Sequence, residues 1–329
     1  RNYTTELYGA KVMNNYSILS PRHDYVKLYI NGEYLGIRHL EEGFNRELIE
    51  SKGNRFGPIY FSDNNLDYDA YNKSYWLANN NNLLRQGFYV IDLLNQDNKK
   101  KDINKYFDIK KWAKFFAISD ALNLFHGIVP RSVRFYLNPA TGLVEPIYYN
   151  GHYGGGRWDC WEKEKFNLSD LINSDEYNCG WICEEIQGQR TKKFYHMFLG
   201  TREKPNKDFY LEYKKTLNQI TSNNEINNIL YPIWNSLSNE RGHLYRGLWR
   251  RTKWDGMGIA PHIAPWGPIK ERLSRINERI KVSDNNIPIF AVDTNKKIIT
   301  ALNRNAEFPQ ILEYQCNNKK SDSILLLRG

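Results

Sequence analysis

The sequence predicts an α+β fold with two early β-hairpins, a helical second half and a short β-rich tail. Three observations carry this. Residues 25–42, "YVKLYINGEYLGIRHLEE", alternate apolar and polar on either side of Asn-Gly; residues 133–150, "VRFYLNPATGLVEPIYYN", form a second strand–turn–strand run; and the segments between and after them space their apolar residues at helical intervals until about residue 286.

In the first run, Val26, Leu28 and Ile30 precede Asn31-Gly32, and Tyr34, Leu35 and Ile37 follow it. Asn-Gly supplies the positive φ values of a type I′ turn, so two antiparallel strands are expected. "EEGFNRELIES" then places Phe44, Leu48 and Ile49 at helical spacing behind early acids, which predicts a short helix ending near Lys52-Gly53. Residues 63–107 are dense in Asn, Asp and Lys and read as a surface insertion, part of which packs through Leu83, Leu84, Phe88, Val90, Ile91 and Leu93. From Asp108, a plausible N-cap, residues Ile109, Trp112, Phe115, Phe116, Leu122 and Phe125 line one helical face, and Gly127 is the expected stop. Pro130 forbids helical continuation, and "NPATG" turns the second hairpin. Further on, Leu211, Tyr213, Leu217, Ile220, Ile226, Leu230 and Leu237 predict a helical lobe, and another helix starts at Pro268. Residues 286–329 begin a β-rich segment.

Composition bounds the function. A chain of 329 residues, 41% hydrophobic and 14% aromatic, is long enough to bury a sizeable core, and no apolar run is long enough to span a membrane. The net charge of +9 would suit an anionic partner, but the basic residues are scattered through "DNKKKDINK", "TREKPNKD" and "RGLWRRTK" and form no nucleic-acid-binding motif. Cys160, Cys179, Cys183 and Cys316 lack the paired spacing of a zinc site; Cys160 could close a loop with Cys179 or Cys183, or all could be buried thiols.

Three blocks, "YVKLYINGEYLGIRHLEEGFNRELIE", "NRFGPIYF" and "FHGIVPRSVRFYLNPATGLVEPIYYNGHYG", resemble the CotH kinase family, atypical secreted or surface-associated protein kinases named for a spore coat protein. The resemblance covers residues 1–155. It implies a two-lobed kinase-like fold over residues 1–285, with the nucleotide cleft between the two hairpins. Residues 1–62 would belong to the small lobe, 108–156 to the catalytic hairpin and 157–285 to the helical lobe. It further implies phosphoryl transfer from ATP to protein Ser/Thr, with Mg²⁺ held by an acid at the end of the second hairpin and an Asn before its first strand. Here those positions match Asn150 and Ser132. An amide or hydroxyl oxygen can ligate Mg²⁺ but brings no charge, so the resemblance implies either a pseudokinase or an inactivating substitution introduced at Asn150. The family's phosphate-binding lysine lies on strands before the matched block, so the chain is expected to continue upstream of Arg1.

Other candidates each carry two readings. His126 would face the transferring phosphoryl group or complement a helix dipole. His152, two residues beyond Asn150, would be a substitute metal ligand. Lys27, Arg46, Arg55 and Arg134 are possible phosphate contacts, with Arg46 equally an exposed helix residue and Arg134 facing phosphate or solvent, opposite Val133 and Phe135. Glu41 and Glu42 would orient a phosphate-binding cation or cap the following helix. Gly154-Gly155-Gly156 reads as a phosphate cradle or a lid hinge. A non-catalytic surface or coat scaffold, binding protein or carbohydrate, is the rival function, and nucleotidyl transfer a third.

Overall fold

The computed structural model describes residues 3–62, 67–95, 102–128, 132–151, 194, 197–200, 206–237 and 266–285, together with short strands between 289 and 326. His152, Gly154, Gly155, Gly156, Cys160, Cys179 and Cys183 lie outside the described residues.

The chain opens with helix α1, Tyr3–Asn15. Nothing in the sequence pattern announces it, because it is buried on more than one side: Thr5, Glu6, Leu7, Tyr8, Ala10, Val12 and Met13 are all enclosed, so no polar face marks its period. The first hairpin follows as expected, β1 (His23–Ile30) against β2 (Glu33–Glu41). Asn31 and Gly32 take φ of +52° and +84°, as a type I′ turn requires. A bulge interrupts the register between Lys27 and Tyr29, opposite Gly36 at φ +89°. This hairpin is a separate two-stranded sheet. The short helix α2 is Arg46–Glu50; its cap is Asn45, whose Oδ1 accepts from the Leu48 amide at 3.1 Å, and not Glu41 or Glu42.

The central sheet is antiparallel and four-stranded, in the order β4 (Tyr68–Ala70), β3 (Ile59–Ser62), β5 (Arg134–Leu137), β6 (Val144–Ile147). One strand of it therefore comes from the Asn-rich stretch expected to be a surface insertion. The same stretch supplies α3 (Lys73–Asn79) and α4 (Asn81–Asp92), which bury Trp76, Leu84, Val90 and Ile91. Its amide-rich composition reflects the exposed faces; its apolar residues join the main core.

Helix α5, Ile109–Leu122, is capped by Asp108, whose carboxylate accepts from the Lys111 amide. It ends earlier than Gly127: Asn123 takes the left-handed conformation at φ +56°, a role Asn fills nearly as readily as Gly, and a 3₁₀ turn, Phe125–Ile128, follows. Trp112 lies at the centre of the core, 4.4 Å from Phe198 and 5.6 Å from Phe135 between ring centroids. Helix α6, Lys207–Ile220, packs along α5 and places the Tyr213 hydroxyl on the buried Asp120 carboxylate. From the helix Trp266–Asn285, Arg272 donates twice to the Asp120 carbonyl, at 2.6 and 3.0 Å, securing the end of α5. Beyond it, the strands from Ile289–Asp293 to Ile324–Leu326 pair two by two in antiparallel fashion. The β character expected of this tail is present.

Candidate functional site

Two segments meet where the second hairpin returns towards α5. The 3₁₀ turn after α5 carries His126, and the residues beyond β6 carry Tyr148 to Gly151. Backbones approach closely here: a Cβ on Gly127 would lie 3.0 Å from the Gly151 Cα, and a Cβ on Gly151 would lie 2.3 Å from the Tyr148 ring. Tyr148 is fully buried and donates to the Gly151 carbonyl at 2.9 Å, so it cannot yield. The two glycines are a packing requirement of the site.

This approach gathers His126, Ser132 and Asn150. The His126 Nδ1 lies 3.1 Å from the Asn150 carbonyl, 3.0 Å from the Asn150 Nδ2 and 3.2 Å from the Ser132 Oγ. One ring nitrogen either donates or accepts, so the tautomer selects the partners: a protonated Nδ1 donates to the Asn150 carbonyl, and a bare one accepts from the amide and the hydroxyl. Asn150 sits three residues past the end of β6, at φ +54°. Its Oδ1 is buried and accepts no hydrogen bond from a described residue. The three side chains are an imidazole, a hydroxyl and a carboxamide, and none brings a formal negative charge.

Arg134 borders the cluster and is 9% exposed. Its guanidinium lies 4.4 Å from the Tyr149 ring centroid and within 5.7 Å of those of Phe44 and Phe61. It donates to the Tyr71 hydroxyl at 3.0 Å and to the Ser132 carbonyl at 3.1 Å. As alternation predicts, it faces away from Phe135, but into an aromatic box and not into solvent. The box places it against both flanks of the cluster, stacking on the neighbour of Asn150 and bonding to the backbone of Ser132. Phe44 and Tyr149 also meet edge to face at 5.3 Å, so the segment after the first hairpin joins the same box. Nothing in the sequence brings Phe44, Phe61, Tyr71 and Tyr149 together, because the box assembles from four separate segments, and Phe44, expected on the short helix, lies before its start at Arg46.

The remaining sequence candidates lie apart from these contacts. Glu42 is engaged by Arg22 through three hydrogen bonds of 2.5–3.0 Å. Burial works against its carboxylate, and the Arg22 contacts outweigh this and hold its pKa below the usual range. Lys27 is exposed on β1. Arg46 is exposed and pairs with Glu50 at 2.8 Å while lying 5.6 Å over Phe56. Arg55 is exposed, and its carbonyl accepts the Tyr136 hydroxyl.

A family model described as CotH kinase protein matches residues 9–240, from within α1 to just beyond the helix Tyr231–Ser236. The chain belongs to the CotH kinase protein family. The match takes in both hairpins, the cluster and α6, so family membership extends across the described site and well beyond the blocks that suggested it. A search of the curated proteins found no match. Among the described residues, no helix is long and apolar enough to cross a membrane.

Proposed function

We propose that this CotH-family chain binds the phosphate end of Mg·ATP at the His126–Ser132–Asn150 cluster and transfers phosphate to protein Ser/Thr weakly or not at all. The observation that carries this reading is the Asn150 Oδ1, buried beyond the end of β6 and accepting no hydrogen bond from a described residue. A buried carbonyl oxygen ordinarily has a partner, and a hard cation is one that an amide oxygen can serve. Asn150 and Ser132 are oxygen donors on adjoining segments, so the residues fit Mg²⁺ in ligand type while falling short in charge. Bound there, Mg²⁺ would neutralise charge on the phosphate oxygens. Asn150 and Ser132 would hold it, His126 would fix the Asn150 amide and the Ser132 hydroxyl through its Nδ1, and Arg134 would keep both flanks in place. His152 remains a proposed additional ligand. Lys27, Arg46, Arg55 and Glu42 are proposed to approach the nucleotide from the side of the first hairpin and α2.

Calorimetry with ATP, with and without Mg²⁺, tests the proposal. Mg²⁺-dependent nucleotide binding is expected, and Asn150→Asp should tighten it roughly tenfold by adding anionic charge to the ligand set, and raise phosphate transfer to a protein acceptor. Absence of binding at millimolar Mg·ATP in both proteins would overturn it. The scaffold reading would then take its place. It is favoured by two features: the enclosure of Arg134 by aromatic rings, and the exposed tyrosines Tyr29 and Tyr34 at the tip of the first hairpin, which suit a protein or carbohydrate partner.

A further inference from the structure

The base of the first hairpin holds a second group of chemically capable side chains. His23 opens β1, and His39 and Glu41 close β2. With an uninterrupted register from the Asn31-Gly32 turn, His23 would oppose Leu40, leaving His39 and Glu41 on the other face. The bulge between Lys27 and Tyr29 shifts the pairing by one residue, so that His23 opposes Glu41 and Tyr25 opposes His39. His23, His39 and Glu41 thereby share a face, with one potential ligand atom from each within 4.8 Å of the others. The two imidazoles stack at 5.0 Å and 18°, with the His23 Nδ1 2.9 Å from the His39 Nε2.

We propose that His23, His39 and Glu41 bind one divalent transition-metal ion, Zn²⁺ by the chemistry of the set, independently of any nucleotide. Two imidazoles and a carboxylate are a familiar three-ligand zinc set, with a fourth position left for water. Imidazole favours Zn²⁺ over Mg²⁺, which separates this site from the Asn150 cluster. Tetrahedral zinc needs its two nitrogens about 3.3 Å apart, so the ion would replace the proton now shared between the rings and spread them by a few tenths of an ångström. The His23 ring can make that adjustment, because its Nε2 is buried and bonded to no described residue.

The test uses the whole chain, stripped with a chelator and titrated with Zn²⁺ by calorimetry. One equivalent should bind, and His23→Gln and His39→Gln should each weaken binding by roughly 100-fold, with Glu41→Gln weaker by at least about tenfold. Undiminished binding in the histidine variants, or no binding by the native chain, would overturn the proposal. Should a variant fail to fold, imidazole ¹H–¹⁵N spectra of the native chain answer by themselves. Of its seven histidines, His23 and His39 should shift on adding one equivalent of Zn²⁺, and Co²⁺ in its place should show no thiolate charge-transfer band. Shifts confined to other histidines, or a thiolate band, would sink the assignment.

Discussion

The two hairpins obey the same local rules and meet opposite surroundings. Both show alternation around a turn, yet β5 and β6 are buried at every position, Arg134 and Glu145 included, whereas no residue of β1 or β2 is fully enclosed. The difference comes from the second layer. The β5–β6 hairpin lies beside β3 in the central sheet, and α5 covers it through Trp112, whose indole donates to the Val144 carbonyl at 3.0 Å. Its buried Glu145 is satisfied by Lys111 at 2.6 Å and Asn138 at 2.8 Å. The first hairpin stands as its own two-stranded sheet and leaves Tyr29 57% exposed at its tip. Local code decides that a hairpin forms; what covers it decides which of its residues tolerate change.

The comparison can be broken first at Phe135, which packs between Trp112 and Tyr68. Phe135→Ala should lower stability by about 3–5 kcal/mol, through lost burial and the cavity left behind, read as a shift in the urea midpoint. Gly151→Ala comes next. The added methyl would drive into a Tyr148 ring that has nowhere to move, at a cost of about 1–3 kcal/mol, and the His126 imidazole resonances should shift as its contacts to Asn150 are displaced. The smallest effect belongs to Tyr29→Ala, expected within about 0.5 kcal/mol of the native chain by the same urea titration. A loss there comparable to that at Phe135 would mean that the first hairpin is covered in solution, and the contrast between the two would fail.

Much of this architecture can be read from the residues alone, because strand alternation, Asn-Gly and an Asp-capped aromatic helix are local signals. Asn150 and Ser132 are picked out by the resemblance to the CotH kinase family and not by a local signal, and both lie within hydrogen-bonding distance of His126. Helix α1 is not legible in the pattern, since a helix wrapped by core loses the polar face that periodicity detects. Helix α5 ends before Gly127 because Asn123 takes the left-handed role at its C-terminus. The aromatic box around Arg134 and the His23–His39 pair were invisible for a different reason. The first needs four segments brought together, and the second depends on a one-residue register shift that alternation by itself does not reveal.

Tyr148 has a consequence for how the molecule must be assembled. Its hydroxyl occupies the space that a side chain at Gly9 would fill, 2.1 Å from that absent Cβ, while its ring fills the corresponding space at Gly151. Its backbone amide also donates to the Leu19 carbonyl at 2.8 Å. One side chain thus keys the first helix of the described chain to the loop that carries Asn150, across more than a hundred residues of sequence. A shortened protein lacking α1 would leave this tyrosine facing water on one side. Trimming the N-terminal end to improve crystallisation or expression would therefore loosen the Asn150 loop, even though none of the removed residues belongs to the cluster itself.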